Sequence, residues 1–545
     1  MQHEIRGADI LWGALKKGGV TRVFSLSGNH IMPVYDAAFD HITKEGGIEI
    51  IHVRHEAAAV HMADAWARLT GEVGVALVTG GQGHSNAVAA LPTALADEVP
   101  LLLLSGHAPL NELGLGAFQE TPQVEMAAPL CKAAWLAQTT AGLAGDIARA
   151  FAIARSGRPG PVHVSLPTDV VEAKATPALP AEAAYEAKPM PLSAESADAI
   201  LAAIAVAERP FLAAGPALNT PNGKRARAAL EAALGLPIAL MESPRGLGDP
   251  SLGAFAEMLA QSDCVVLLGK ALDFTLRFGR APFVAASARW VVIEPDAKLI
   301  ARAASGLGAR LAVSAMAAPL EAVATLATRG KPHANTTWAA SLREAIAHRP
   351  KAWEALAGKP GGPIHPATLG AALRPFVTPE TVLVVDGGEI GQWMQACLAA
   401  PERVINGVAG AIGAALPFAL AARAARPAGR ILAICGDGTF GFHMAEFDTA
   451  LRHDLPFVLV VGNDAKWNAE YQIQARDYGA NRTHGCELAP GTRYDRVVEA
   501  LGGHGELVEC GEDLAPALER AFASGKPACV NVMIEGLPAP NLRRA

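Results

Sequence analysis

Short apolar runs recur along this chain and alternate with stretches in which apolar residues fall three and four positions apart. That alternation is the pattern of α/β layers built on mostly parallel sheets. In the first third, Val23–Leu26, Glu49–Val53, Gly74–Thr79, Leu101–Ser105 and Val162–Leu166 read as buried strands. Between them Glu56–Leu69 reads as a helix, with Ala57, Val60, Ala63 and Ala67 on the face turned to a sheet. Residues 173–191, rich in Pro, Ala, Glu and Lys, read as a linker. A second unit follows, with strands near Phe211–Ala214, Pro237–Leu240, Cys264–Leu268 and Trp290–Ile293. A break at Gly358–Pro363 precedes a third, with strands near Val382–Val385, Ile431–Ile434, Val458–Val461 and Ala528–Ile534. The expectation is three consecutive doubly wound α/β domains, over residues 1–172, 192–330 and 358–545. The first and third share size and strand rhythm, so they are expected to be two copies of one architecture.

Composition changes this picture little. The chain of 545 residues is 51% hydrophobic, enough for several cores. A net charge of −7 without a long basic run argues against nucleic acid. The apolar stretch 407–421 is too short to span a bilayer, and Glu4, Arg6 and Asp9 interrupt any early signal-like region. No membrane association is expected. Seven scattered cysteines without a CxxC pair fit reduced thiols in a cytoplasm, most of them core residues.

The chemistry begins at Gly436-Asp437-Gly438, directly after the apolar run Arg430–Cys435. A strand ending this way puts a carboxylate at the carboxyl edge of a sheet, where α/β proteins bind ligands. A second apolar run, Leu455–Val461, ends in Gly462-Asn463-Asp464, 27 residues on (437 to 464). That interval accommodates a helix and a return strand, so two neighbouring strand ends can direct oxygens at one hard cation such as Mg²⁺. The alternative is a simple turn at Gly436–Gly438 with Asp464 capping a helix. For Glu56, in Arg54-His55-Glu56, the alternative to a functional carboxyl is a first-turn residue stabilised by the helix dipole.

Together these motifs resemble the thiamine-diphosphate-dependent superfamily, in the branch of acetolactate synthase and benzaldehyde lyase. The resemblance implies Asp437, Asp464 and the carbonyl of Lys466 as metal ligands, with Asp464 standing where the family usually has Asn. It implies that Glu56 hydrogen-bonds the cofactor's aminopyrimidine, which needs a carboxyl in a mostly apolar crevice. Thr79-Gly80-Gly81-Gln82-Gly83 to Asn86 resembles the family's glycine-rich turn near the pyrimidine. Asp386-Gly387-Gly388-Glu389 resembles the first loop of its diphosphate domain. Gly407–Pro417 resembles the segment that bends the cofactor, with Gly410 against it and Ile412 as the wedge. Gly436, Gly438, Thr439 and Trp467 complete the implied cofactor contacts, although Trp467 also reads as ordinary packing. The implied domains are pyrimidine-binding, central and diphosphate-binding.

Ser27-Gly28-Asn29-His30 resembles the benzaldehyde lyase loop that carries an active-site His, which makes Asn29 a cofactor contact and His30 a proton shuttle. Phe118-Gln119-Glu120-Thr121-Pro122 resembles acetolactate synthase and implies Gln119 over the active site. Asn406 stands where benzaldehyde lyase has a His. The implied reaction is lysis or ligation of carbon–carbon bonds in 2-keto acids or 2-hydroxy ketones. The stretch from Leu268-Gly269-Lys270 through Asp273-Phe274 to Gly279 resembles the 2-hydroxyacyl-CoA lyase and oxalyl-CoA decarboxylase branch, which is the alternative. Acetolactate synthases bind FAD centrally; no FAD-specific pattern occurs here, so FAD is not expected. The family places the Glu and the diphosphate site on different subunits, implying a homodimer or homotetramer. Outside this class stand a non-catalytic binding subunit and an NAD-dependent oxidoreductase built on Gly407, Gly410 and Gly413. The NAD signal is weak, since no Rossmann strand-to-acid pattern surrounds those glycines.

Overall fold

The structure, a computed structural model, describes residues 4–42, 47–356 and 362–544. Part of the expected break at Gly358–Pro363 therefore lies outside the described residues. Three parallel sheets carry the chain. The first contains β1 (Arg22–Leu26), β2 (Glu49–His52), β3 (Gly74–Val78), β4 (Leu101–His107), β5 (Ala133–Leu136) and β6 (Pro161–Pro167), in the order β2-β1-β3-β4-β6-β5. The central sheet is β8-β7-β9-β10-β11, from β7 (Pro210–Ala214), β8 (Ile238–Leu240), β9 (Cys264–Leu268), β10 (Arg289–Ile293) and β11 (Leu311–Ala315). The third contains β12 (Thr381–Val385), β13 (Glu402–Ile405), β14 (Arg430–Gly436), β15 (Val458–Asn463), β16 (His504–Val508) and β17 (Ala528–Met533). Its order, β13-β12-β14-β15-β17-β16, repeats that of the first sheet. The two-copy expectation is met at the level of strand order.

The central core is its own, and the helix Thr336–Ala347 adds Trp338, Ala339 and Leu342 to it, past residue 330. The outer two units share a core. The helix α1 (Glu56–Thr70) packs along α2 (Ala415–Ala425). Ala59, Ala63 and Ala67 on one and Ala415, Ala419 and Ala422 on the other are buried, and such small side chains let the helix axes come close. Phe418 is fully buried at this contact, worth about 1.5–3 kcal/mol in apolar area removed from water. His61 of α1 is enclosed there too, its ring 5.8 Å from Phe418 and 5.9 Å from His443. Burial, then the neighbouring His443, Arg68 and His55 charges, push its pKa down to about 3. No described helix is long and apolar enough to cross a membrane. All seven cysteines are free thiols, with Cys435 and Cys529 buried on strands of the third unit.

Candidate active site

In the third sheet Gly436 is paired in register with Gly462, so β14 and β15 end level. Asp437 and Asp464 therefore leave adjacent strand ends and line one pocket. Asp437 is the first residue of the helix Asp437–His443, and its Oδ1 accepts the Gly438 N–H at 2.9 Å. Its Oδ2 is buried without a hydrogen-bond partner. Burial raises its pKa to about 6, and the amides of Gly438, Lys466 and Ala465 oppose the rise. Asp464 is raised to about 7, first by burial and then by Asp437, with Lys466 opposing. A buried carboxyl and a half-buried one, both raised by burial, form a pair that a cation would suit.

The helix-cap alternative for Asp464 fails, because the next helix spans Asn468–Tyr478 and its cap position is Trp467. Asn463 turns away from the pocket, donating to Asn531 Oδ1 at 3.1 Å and accepting the Ala465 N–H at 3.2 Å. That bond, with Ala465 at φ +55°, folds the chain so that Lys466 also lines the pocket. The Lys466 Nζ itself lies over the Tyr471 ring, 4.5 Å from its centre. Among the described residues no three His, Cys, Asp or Glu side chains converge as a metal cage. Two carboxylates and a backbone carbonyl suit Mg²⁺, which takes few protein oxygens and shares substrate or cofactor phosphates. The donors thus fit a diphosphate-bound cation.

The remaining walls include Gly387, Gly388, Glu389, Asn406, Gly410, Ile412, Gly436, Gly438, Thr439 and Trp467, together with Pro244 and Arg245 of the central unit. A Cβ on Gly438 would lie 2.6 Å from the Trp467 ring, and Trp467 meets Phe442 edge-on at 6.2 Å. Trp467 is both packing and pocket wall. Glu389 accepts from Arg245 Nη2 at 2.6 Å and from the Ala539 amide at 3.1 Å, joining the central unit and the C-terminal tail to the rim. Sequence reasoning missed Pro244 and Arg245, because no local motif marks a residue delivered from another unit.

One correction concerns the glycine loop 407–413. A strand does precede it, β13, which the sequence pattern did not reveal. The NAD reading gains nothing from that strand. The Gly413 and Ala415 amides at the start of α2 both donate to Asp386 Oδ2, at 2.9 and 3.0 Å. The anion position at that helix start is filled by the protein's own carboxylate, which burial raises to about 6.

A second cluster of candidate residues gathers at the carboxyl ends of β1 and β3. His55 caps α1, its Nδ1 accepting the Ala57 N–H at 3.1 Å, which makes Glu56 the first helical residue. Glu56 is buried, and its Oε2 accepts from Asn86 Nδ2 at 3.0 Å. A Cβ on Gly83 would lie 3.2 Å from Glu56 Oε1, so the glycine-rich turn closes over the carboxyl. Thr79 Oγ1 accepts the His30 amide at 3.3 Å. His30 is buried against Phe118, rings 5.8 Å apart, with Nε2 3.1 Å from the Phe118 carbonyl. A carbonyl only accepts, so Nε2 carries the proton and Nδ1 is left as a buried lone pair without a partner. Burial lowers the His30 pKa, and the Phe118 carbonyl opposes this. Gln119, at φ +55°, packs on Gly81, whose amide donates to Gln123 Oε1 at 2.8 Å. Gln123 is a buried support that the sequence did not single out. Asn29 is exposed and lines a surface groove with Arg6 and Met32.

Contacts thus link Glu56 with Asn86 and, through the glycine-rich turn, with Thr79, His30 and Gln119, while the Asp437 set lines a separate pocket. No residue before Pro244 lines the Asp437 pocket. Two family models match this chain: the thiamine pyrophosphate enzyme N-terminal TPP binding domain over residues 5–126, and the C-terminal TPP binding domain over 386–532. A probable acetolactate synthase of Mycobacterium bovis is 33% identical over 535 residues, covering 96% of this chain and 94% of its own. The 2-hydroxyacyl-CoA lyase 2 of Bos taurus is 31% identical over 581 residues, covering 97% and 90%. Its Homo sapiens counterpart is 30% identical over 585 residues, covering 97% and 90%.

Proposed function

The chain belongs to the thiamine pyrophosphate enzymes, and from that premise we propose that it is an acetolactate synthase-like lyase or carboligase of 2-keto acids or 2-hydroxy ketones. Its cofactors are thiamine diphosphate and a divalent cation, Mg²⁺. When bound, the cofactor supplies a nucleophilic carbon and an electron sink for a carbonyl substrate. The observation that supports the reading is a buried and a half-buried carboxyl at adjacent strand ends, one with an oxygen that has no hydrogen-bond partner among the described residues.

Asp437, Asp464 and the Lys466 carbonyl hold the metal in this reading. Gly387, Gly388, Gly436, Gly438 and Thr439 cradle the diphosphate, while Gly410 and Ile412 bear on the rings. Glu56, oriented by Asn86, holds a proton at a ring nitrogen. His30 keeps Nε2–H on the Phe118 carbonyl and uses Nδ1 to take and return a substrate proton. Gln119 contacts the substrate from its loop. Because no residue of the Glu56 cluster lines the Asp437 pocket within one chain, a second copy completes each site, giving a homodimer or homotetramer. Seven free thiols support a cytoplasmic setting.

The relatives named 2-hydroxyacyl-CoA lyase favour a second reading, cleavage of a 2-hydroxyacyl-CoA. One experiment separates the two. The protein, with thiamine diphosphate and Mg²⁺, is given pyruvate, other 2-keto acids, 2-hydroxy ketones and 2-hydroxyacyl-CoA thioesters, and products are identified by mass spectrometry. Turnover of free acids or hydroxy ketones is expected. Turnover of thioesters alone would overturn the first reading in favour of the second.

A further inference from the structure

Ile412 and Gly410 lie on the loop between β13 and α2, and a loop is held only by what it touches. Its far end is held within its own unit: Asp386 accepts the Gly413 and Ala415 amides, and His443 Nδ1 lies 2.8 Å from the Gly413 carbonyl. Its near end is held from the first unit. Arg68, on α1, donates from Nη1 to the Ile405 carbonyl at 2.9 Å and from Nη2 to Asp97 Oδ2 at 2.6 Å. Asp97 Oδ1 accepts the Val408 amide at 2.7 Å. Between these two grips Gly407 sits at φ +69°, and a Cβ there would overlap the Asp97 carboxylate. Arg68 is itself aimed by Asp64, which accepts its Nε and Nη2 at 2.6 and 2.9 Å. The side chains of Arg68 and Asp97 are 10% and 2% exposed, so water does not compete for these bonds.

We propose that Arg68 and Asp97 are positioning residues for the Ile412 loop, so that the N-terminal unit of a chain sets the cofactor pocket in its own C-terminal unit. The inference rests on the proposed contact of Ile412 with the cofactor rings. Neither residue touches the pocket wall at Ile412; both act through the backbone from Ile405 to Val408. The metal and diphosphate cradle, built on Asp437, Asp464, Gly387 and Gly438, is held by other strands. The clamp therefore acts on the ring end of the cofactor and leaves the diphosphate end alone. That difference is what a general structural role would not produce.

The test is calorimetry on the full chain with Mg²⁺ and two probes: thiamine diphosphate, and inorganic diphosphate, which fills the cradle but has no rings to reach Ile412. For Asp97→Ala, thiamine diphosphate is expected to bind at least tenfold more weakly, with inorganic diphosphate within twofold of the unsubstituted chain. Asp97→Asn, which keeps an oxygen for the Val408 amide, should recover most of the loss. Arg68→Lys keeps the charge but loses the fork to Ile405, and should show the same selective loss at smaller size; it decides the matter if Asp97→Ala does not fold. Unchanged thiamine diphosphate binding in these variants, or an equal loss for both probes, would overturn the clamp. If the unsubstituted chain binds inorganic diphosphate but gains nothing from the rings, the ring contact of Ile412 falls, and the clamp with it.

Discussion

Replacing His61 by Leu tests how the two cofactor-bearing units are joined. His61 is enclosed between α1 and α2, and its folded-state pKa is lowered to about 3, mainly by burial. In the unfolded chain an imidazole titrates near 6.5, so between about pH 6.5 and 3 the unfolded state binds a proton that the folded state refuses. Stability contributed by this site is complete above pH 6.5 and is lost progressively as pH falls towards 3. At pH 5 the solution is ~1.5 pH units below the unfolded reference, and at ~1.4 kcal/mol per pH unit the proton favours unfolding by about 2 kcal/mol. The Leu variant lacks this proton. Whatever constant packing cost it carries, its stability relative to the unsubstituted chain should improve by about 2 kcal/mol between pH 7.5 and 5. Urea unfolding of both proteins across that range, followed by circular dichroism, measures the difference. Parallel stability curves would refute the enclosure of a neutral imidazole at the α1–α2 contact.

Glu56→Gln should lower turnover by about 10²–10⁴-fold, the usual weight of a positioned acid or base, with thiamine diphosphate affinity little changed. Steady-state rates beside calorimetry check this, and full activity in the variant would remove Glu56 from the chemistry. Asp464→Asn should weaken Mg²⁺ binding, measured with thiamine diphosphate present, by about tenfold or ~1.4 kcal/mol. An unchanged dissociation constant would mean that the carboxylate offers nothing beyond an amide oxygen.

Most strands legible in the sequence are those whose side chains are buried on both faces, although the half-exposed edge strand β2 is legible too. β3, β9 and β14 read as continuous apolar runs because helices cover both sides of a parallel sheet. The four strands of the three large sheets that the pattern did not reveal, β5, β11, β13 and β16, are all sheet edges. Their residues are largely half-exposed, as at Ala133–Leu136 and residues 504–507, so no apolar run announces them. The site follows the same logic. Asp437, Asp464 and Glu56 sit close behind strands, where a local motif suffices to find them. Arg245, Arg68 and Asp97 act across units, and their significance lies in contacts between residues hundreds of positions apart. Asn29, from the same motif as His30, has its side chain exposed beside Arg6 within one chain.

The core shared by α1 and α2 separates two meanings of the word domain. By strand order the first and third sheets are complete and equivalent. By stability neither is self-sufficient, because a chain cut between them would expose Ala59, Ala63 and Phe418 together and leave His61 facing water. Synthesis delivers the first sheet long before α2 exists, so the nascent N-terminal half must carry an alanine-lined apolar face until the last third of the chain emerges. Packing of the first and third units against each other is thereby deferred to the end of translation.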